Sequence, residues 1–199
     1  MSTTLHLVRH GEVENPKGVI YGRMPGYNLS ERGQRQAQQA AERLKDADLA
    51  AVWSSPLERA QETAQAIAAP HDIEVVTDDR LLESETTLEG VSRHALHFFR
   101  SPKQWWHFRN PLRPSWGESF GNIRARMLDA IKDALSEAGA REIVLVSHQT
   151  PVLVSRLTLT RKRTPPWLGL TPCETGSITT LELEEDGTVS SASYFAPKG

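Results

Sequence analysis

Apolar and amphipathic stretches alternate along the first part of the chain. Short apolar runs there predict three strands, at 4–9, 49–53 and 73–77. Ser30 is a predicted N-cap, with Glu31 in the first turn of a helix that runs to Leu44. Pro56 suits the first turn of a second helix, which carries Arg59. Such alternation is typical of a parallel sheet joined by right-handed crossovers.

The alternation returns in the C-terminal part of the chain. A long amphipathic helix is predicted from about Glu118 through Leu135, with Gly139 as its C-cap. The remaining predicted elements are a strand at 143–147, a helix opened by Thr150 and Pro151, and a hairpin of strands at 177–183 and 189–195. We therefore predict a single α/β domain over residues 1–199. It would be a three-layer sandwich with a mostly parallel central sheet and helices on both faces.

Residues 78–116 interrupt this pattern. They are rich in aromatic residues and histidines and are punctuated by prolines, so we predict a helical cap insertion and not a second domain. The tryptophan-rich part at 105–116 is expected to pack within the molecule, and it is also a candidate homodimer surface. His94 and His97 fit one helix face, but no third ligand of suitable spacing follows, so no metal site is predicted.

Composition and charge limit the classes of function. The 199 residues are 38% hydrophobic and 24% charged, with a net charge of -2, which gives no basic footprint for nucleic acid. No stretch is long and apolar enough to span a membrane, and the N-terminus lacks the pattern of a secretory signal. The one cysteine, Cys173, has no intramolecular partner, as is common in a reducing compartment. We expect a cytoplasmic protein without nucleic-acid or membrane partners.

Two of the predicted strands each deliver a histidine at the carboxyl end. His10 follows the strand at 4–9, and His148 follows the strand at 143–147. The carboxyl edge of an open α/β sheet is where ligands bind. The two histidines are therefore expected to meet in one pocket.

Cationic side chains beside these histidines predict a phosphoryl site. Arg9 precedes His10, Arg59 lies about one turn into a helix after the second strand, and His148 adds a third cation if it is protonated. A neutral His10, held through one ring nitrogen, would attack the phosphoryl group. Gly11 is expected to permit a tight turn that exposes the His10 ring. A leaving alkoxide also needs a proton, so a carboxylic acid should stand nearby.

Four motifs resemble those of the histidine phosphatase superfamily, which includes the cofactor-dependent phosphoglycerate mutases. They are LVRHGE at 7–12, LSERGQRQA at 29–37, SSPLERAQETA at 54–64 and VSH at 146–148. Each motif alone is a weak to moderate signal, but all four occur in the family's order and cover most of the chain.

The resemblance implies a role for each matching residue. His10 would be the nucleophile that becomes phosphorylated, while Arg9, Arg59 and His148 would hold the phosphoryl group. Glu83, in a Leu-x-Glu context after the third strand, would protonate the leaving group and then act as the base for water. No metal and no cofactor is implied.

The segment around the predicted acid departs from the family pattern. Many relatives have a glycine four residues after the acid, but this chain has Thr87. The family's aromatic-Glu-Gly triplet becomes Leu-Glu-Gly at 88–90, one residue closer. Glu85 is therefore an alternative to Glu83 as the proton donor.

Three further residues are candidate substrate contacts. Asn15 stands five residues after the nucleophile, whereas many relatives place an asparagine six residues after it. Arg23 matches a loop position that is common among relatives, and Gln149 directly follows His148.

These observations predict a phosphatase that hydrolyses the phosphomonoester of a small molecule through a phosphohistidine on His10. Two alternatives stay open: a cofactor-dependent phosphoglycerate mutase, and a catalytically weak module that binds a phosphorylated ligand. The residues after His148, Gln-Thr-Pro at 149–151, differ from the small-residue pattern usual in mutases and favour the phosphatase.

Overall fold

A mixed six-stranded sheet forms the centre of the part of the chain that the structure describes. The computed structural model describes residues 3–92, 117–139, 141–162 and 171–198. The strands are β1 (Thr3–Arg9), β2 (Leu49–Ser54), β3 (Val75–Thr77), β4 (Glu142–Ser147), β5 (Ile178–Leu183) and β6 (Val189–Phe195). Their spatial order is β3-β2-β4-β1-β5-β6.

Most of the sheet is parallel, as predicted. β4 lies between β1 and β2 and pairs with both in parallel, and β3 extends the parallel part beyond β2. β5 runs antiparallel to β1, and β6 returns antiparallel to β5 as the predicted hairpin. Gly187, with φ at +77°, allows the left-handed turn between these two strands.

Helices cover both faces of the sheet and complete the predicted three layers. The helices among the described residues are α1 (Glu31–Leu44), α2 (Glu58–Ala68), α3 (Phe120–Ala138) and α4 (Gln149–Leu159). Side chains alternate along β1, so Leu5 and Leu7 pack in the core with α3 and α4, whereas Val8 packs in the core with α1 and α2. None of these helices is long and apolar enough to cross a membrane.

Helix ends follow the sequence signals with one exception. The Ser30 hydroxyl accepts a hydrogen bond from the amide of Gly33, and Gly139 is the C-cap of α3 with φ at +64°. The prediction that Pro56 lies in the first turn of α2 is wrong, because this helix begins at Glu58. The amide of Ser55 still donates to a carbonyl of β4, so the chain stays extended past the end of β2.

Part of the predicted cap lies outside the described residues. The described part, 78–92, contains a short 3-10 turn, Asp79–Leu81, and then pairs with the long loop that follows β1. Val19 bridges to Ser92, and the Ile20 amide donates to the Val91 carbonyl at 2.8 Å. The helical insertion itself and the tryptophan-rich homodimer surface fall on 93–116 and stay predictions.

Candidate active site

The two strand-end histidines lie side by side at the carboxyl edge of the sheet. β1 and β4 are parallel neighbours, with Arg9 opposite Ser147, so the next residue of each strand enters the same space. The ring centroids of His10 and His148 are 5.1 Å apart. Both side chains are buried, and His10 is only 2% exposed. The convergence expected from the sequence is therefore present.

A backbone carbonyl fixes the proton on the His10 ring. The Nδ1 atom of His10 lies 2.6 Å from the carbonyl oxygen of Gly11. A carbonyl oxygen only accepts, so Nδ1 carries the hydrogen and the lone pair is on Nε2. The backbone of this turn is held as well, since the Gly176 amide donates to the carbonyls of both Arg9 and His10 at 3.0 Å.

The expected reason for a glycine at position 11 is wrong. The backbone of Gly11 lies outside the left-handed region, and the neighbouring His10 ring is buried and not exposed. A Cβ at this position would lie 2.4 Å from the carbonyl oxygen of Gly33 in the first turn of α1. Gly11 is therefore required by the close approach of this turn to α1.

Arg59 is the largest fully buried polar side chain at the site. It is the second residue of α2, and its Nη2 donates to the carbonyl of Gly22 at 2.6 Å. Its guanidinium also lies 4.8 Å above the ring of Tyr21. The Nε and Nη1 atoms are buried without a partner among the described residues, as is the Nε of Arg9.

Ser55, which the sequence pattern indicates only as part of a helix start, contacts the second histidine. The Nε2 of His148 lies 2.8 Å from the hydroxyl of Ser55. The Leu57 amide donates to the same hydroxyl oxygen at 3.4 Å, and the hydroxyl proton has no other acceptor among the described residues, so we assign this proton to Nε2 of His148. Nδ1 of His148 therefore carries a hydrogen, and this atom is buried with no partner in the described part of the chain. The sequence feature that indicates this contact is a serine directly after a parallel strand.

Burial makes both histidines poor proton acceptors. The pKa of His10 lies well below its ordinary value, first because of burial and then because Arg59 and Arg9 lie nearby. The pKa of His148 is also well below its ordinary value, mainly through burial and then through His10 and the same arginines. The protonated state that His148 needs to act as a cation is therefore disfavoured in the free site by the lowered pKa of His148.

Of the two candidate acids, Glu83 is the one that is half-buried. Burial lowers the pKa of the Arg59 guanidinium, and the carboxylate of Glu83 lies close enough to oppose this shift. The side chain of Glu85 is 69% exposed and forms an ion pair with Arg23 at 2.8 Å. The Ser147 hydroxyl donates to the carbonyl of Leu81 at 2.6 Å, which ties the Glu83 segment to the end of β4.

The three candidate substrate contacts occupy different settings. The amide group of Asn15 bonds to both backbone groups of Val19, at 2.9 and 3.2 Å, and so shapes the loop after β1. Asn15 also lines a cavity of about 450 Å³ together with Arg9. Arg23 bonds to protein acceptors through all three guanidinium nitrogens. Gln149 is the half-buried first residue of α4. Substrate contact by these residues stays a prediction.

Among the described residues, no three His, Cys, Asp or Glu side chains are grouped so as to hold a metal ion. His94 and His97 lie outside the described residues.

Comparisons with known proteins extend over most of the chain. A family model for the histidine phosphatase superfamily (branch 1) matches residues 5–194. An uncharacterised protein of Mycobacterium tuberculosis (strain ATCC 25618 / H37Rv) is 46% identical over 185 residues, which are 92% of each protein. A 2,3-bisphosphoglycerate-dependent phosphoglycerate mutase of Thermoplasma acidophilum is 46% identical over 148 residues, 73% of this chain and 70% of that protein.

A solved structure adds a likeness to a phosphatase. It is the phosphoserine phosphatase of Entamoeba histolytica in complex with 3-phosphoglyceric acid, with a TM-score of 0.76 and 28% identity. The match covers 98% of each chain.

Proposed function

The chain belongs to the histidine phosphatase superfamily, and from that premise we propose that it hydrolyses a phosphomonoester through a phosphohistidine on His10. Superfamily members similar to it include phosphatases and phosphoglycerate mutases. Its substrate is a phosphorylated small molecule.

One observation carries the proposal: several buried hydrogen-bond donors near His10 have no partner among the described residues. They are Nε and Nη1 of Arg59, Nε of Arg9 and Nδ1 of His148. Leaving buried charged donors unpaired costs free energy, so such a cluster is built for an anion that supplies the acceptors. A phosphoryl group has three oxygens to receive them, and it develops further charge in the transition state.

The first chemical step transfers the phosphoryl group to His10. Nε2 of His10 attacks phosphorus with its lone pair, the N–P bond forms, and the bond from phosphorus to the ester oxygen breaks. Glu83, protonated at this stage, gives its proton to the departing alkoxide so that an alcohol leaves. Arg9, Arg59 and the Nδ1–H of His148 hold the phosphoryl oxygens throughout.

The second step returns the enzyme to its starting form. Water attacks phosphorus, the N–P bond breaks, and the carboxylate of Glu83 takes a proton from the water. Inorganic phosphate leaves, His10 is neutral again, and Glu83 is protonated for the next cycle. The low pKa of His10 favours this scheme because the imidazole stays unprotonated and nucleophilic at neutral pH.

The test is phosphate release from a panel of phosphomonoesters by the purified chain in EDTA, with His10→Ala measured in parallel. We expect release by the unaltered protein and none by His10→Ala. Release that survives in His10→Ala would contradict the proposal. Silence across the panel, with inorganic phosphate still bound, would favour a phospho-ligand binding module.

Phosphoglycerate mutase activity is the second candidate. It is favoured by the 46% identity to the Thermoplasma acidophilum mutase, and it uses the same nucleophile. The panel therefore includes 3-phosphoglycerate with and without 2,3-bisphosphoglycerate. Interconversion of the phosphoglycerate isomers without phosphate release would replace the phosphatase proposal with this one.

A further inference from the structure

Side chains from three separate parts of the chain hold the backbone that leads into Glu83. Nη1 of Arg126 donates to the carbonyl of Arg80 at 2.5 Å, and the Ser147 hydroxyl donates to the carbonyl of Leu81 at 2.6 Å. Nε of Arg23 donates to the carbonyl of Glu83 itself, also at 2.6 Å. Three carbonyls within four residues are thus fixed from α3, β4 and the loop after β1.

One carboxylate joins two of these three donors. Glu118 accepts from Nε and Nη2 of Arg126, both at 2.9 Å, and from Nη2 of Arg23 at 3.3 Å. Its side chain is 11% exposed, and those of Arg126 and Arg23 are 15% and 26% exposed. Because the three charges are largely shielded from water, their attraction is screened less than that of a surface pair.

Glu118 is itself anchored on both sides. Its amide donates to the carbonyl of Glu85 at 3.1 Å, and Ser119 is the N-cap of α3. A Cβ on Gly117 would lie 2.0 Å from the same carbonyl, so the two backbones are in close contact. Glu118 therefore has a fixed position directly before α3, from which it orients both arginines.

We propose that Glu118 is a positioning residue for Glu83, acting through Arg126 and Arg23 on the two ends of the segment 80–83. The inference rests on the proposed phosphatase function. Glu118 touches neither the phosphoryl group nor the leaving oxygen in this scheme, and Arg23 acts on Glu83 through its hydrogen bond to the backbone carbonyl of that residue. A proton donor on a loop needs such support, because a misplacement of about 1 Å can cost about a hundredfold in rate.

The distinguishing measurement is kcat/KM for two phosphomonoesters with different leaving groups. An alkyl phosphate needs protonation of its leaving oxygen, whereas an aryl phosphate with an acidic phenol does not. In Glu118→Gln we expect kcat/KM to fall about tenfold to a hundredfold for the alkyl phosphate and less than about threefold for the aryl phosphate. A merely structural role would lower both values by the same factor.

Asp133→Asn is the matched control on the same helix. Asp133 forms an ion pair with the side chain of Arg80 at 2.7 Å, and its side chain is half exposed. Its carboxylate accepts from the Arg80 side chain and, as an acceptor, cannot hold the backbone carbonyls of the segment 80–83. We expect this variant to keep the ratio of the two kcat/KM values.

Two further variants keep the test decisive. Arg23→Lys should shift the ratio in the same direction, since one ammonium cannot replace the forked contact to Glu83 and Glu118. In Glu83→Gln, adding Glu118→Gln should cause no further selective loss for the alkyl phosphate.

Equal loss on both substrates, or a further selective loss in the double variant, would overturn the positioning role. If the unaltered protein cleaves neither substrate, the proposed function fails and this inference falls with it.

Discussion

The Nδ1–H of His10 donates a hydrogen bond of 2.6 Å to the carbonyl oxygen of Gly11, the next residue in the chain. This bond leaves Nε2 as the nucleophilic atom. We predict that the phosphorylated protein, trapped during turnover or made with phosphoramidate, carries phosphorus on Nε2. Phosphorus and nitrogen NMR distinguishes the two isomers. A phosphorus atom on Nδ1 would contradict the ring orientation.

The two candidate acids should separate by substitution. Glu83→Gln is expected to lower kcat/KM for an alkyl phosphate by roughly a hundredfold or more, because the leaving alkoxide loses its proton donor. Glu85→Gln should change it by less than about threefold, since that side chain is mainly exposed and its surface ion pair contributes little. A larger loss in Glu85→Gln than in Glu83→Gln would reverse the assignment.

Loss of the Ser55 hydroxyl should weaken catalysis through His148. Ser55→Ala leaves Nε2 of His148 without its partner and frees the ring to take the other tautomer. We expect kcat to fall about tenfold, in line with a cost of about 1–3 kcal/mol for an unpaired buried group.

Ser155→Ala is the control for removing a buried hydroxyl. The Oγ of Ser155 is buried without a partner among the described residues, so its loss should leave both kcat and stability nearly unchanged. If the two serine variants lose equal activity, the contact with His148 has no special role.

Close backbone packing should make Gly11 intolerant of a methyl group. In Gly11→Ala the new Cβ would clash with the carbonyl of Gly33, so we expect destabilisation by roughly 1–3 kcal/mol and a loss of activity. Gly121→Ala is the matched control, because its Cβ meets nothing closer than 3.7 Å and alanine favours a helix. Urea denaturation compares the two, and an equally stable Gly11→Ala protein would refute the packing argument.

Acid should destabilise the protein through its buried histidines. The unfolded chain binds protons near the ordinary histidine pKa of 6.5, whereas burial lowers the pKa of His10 and His148 in the folded chain well below it. The unfolded state therefore gains protons first, and the free energy of unfolding should fall as the pH drops below 6.5.

Urea midpoints between about pH 7 and about pH 5.5 measure this dependence. The double variant His10→Gln/His148→Gln should show a shallower slope, with His6 remaining because burial lowers its pKa as well. A slope that is flat or inverted in the unaltered protein would exclude proton uptake by these groups as a cause.

Much of the parallel core follows from local patterns. Apolar runs followed by His10 and His148 predict two strands that end at one edge, because parallel strands of a sheet share their direction. The cap signals at Ser30 and Gly139 also act within a few residues, and the structure has both. Pro56 shows the limit of such signals, since pairing with β4 delays the start of α2.

The strand-helix alternation and the residue types at the sheet edge follow from patterns along the chain, because hydrophobic periodicity and caps are local. How these groups act on one another depends on the tertiary structure. Burial lowers the pKa of His148, Ser55 contacts it from 93 positions away, and Glu118 contacts Arg23 from 95 positions away. Such contacts depend on how distant segments pack, which no spacing along the chain encodes.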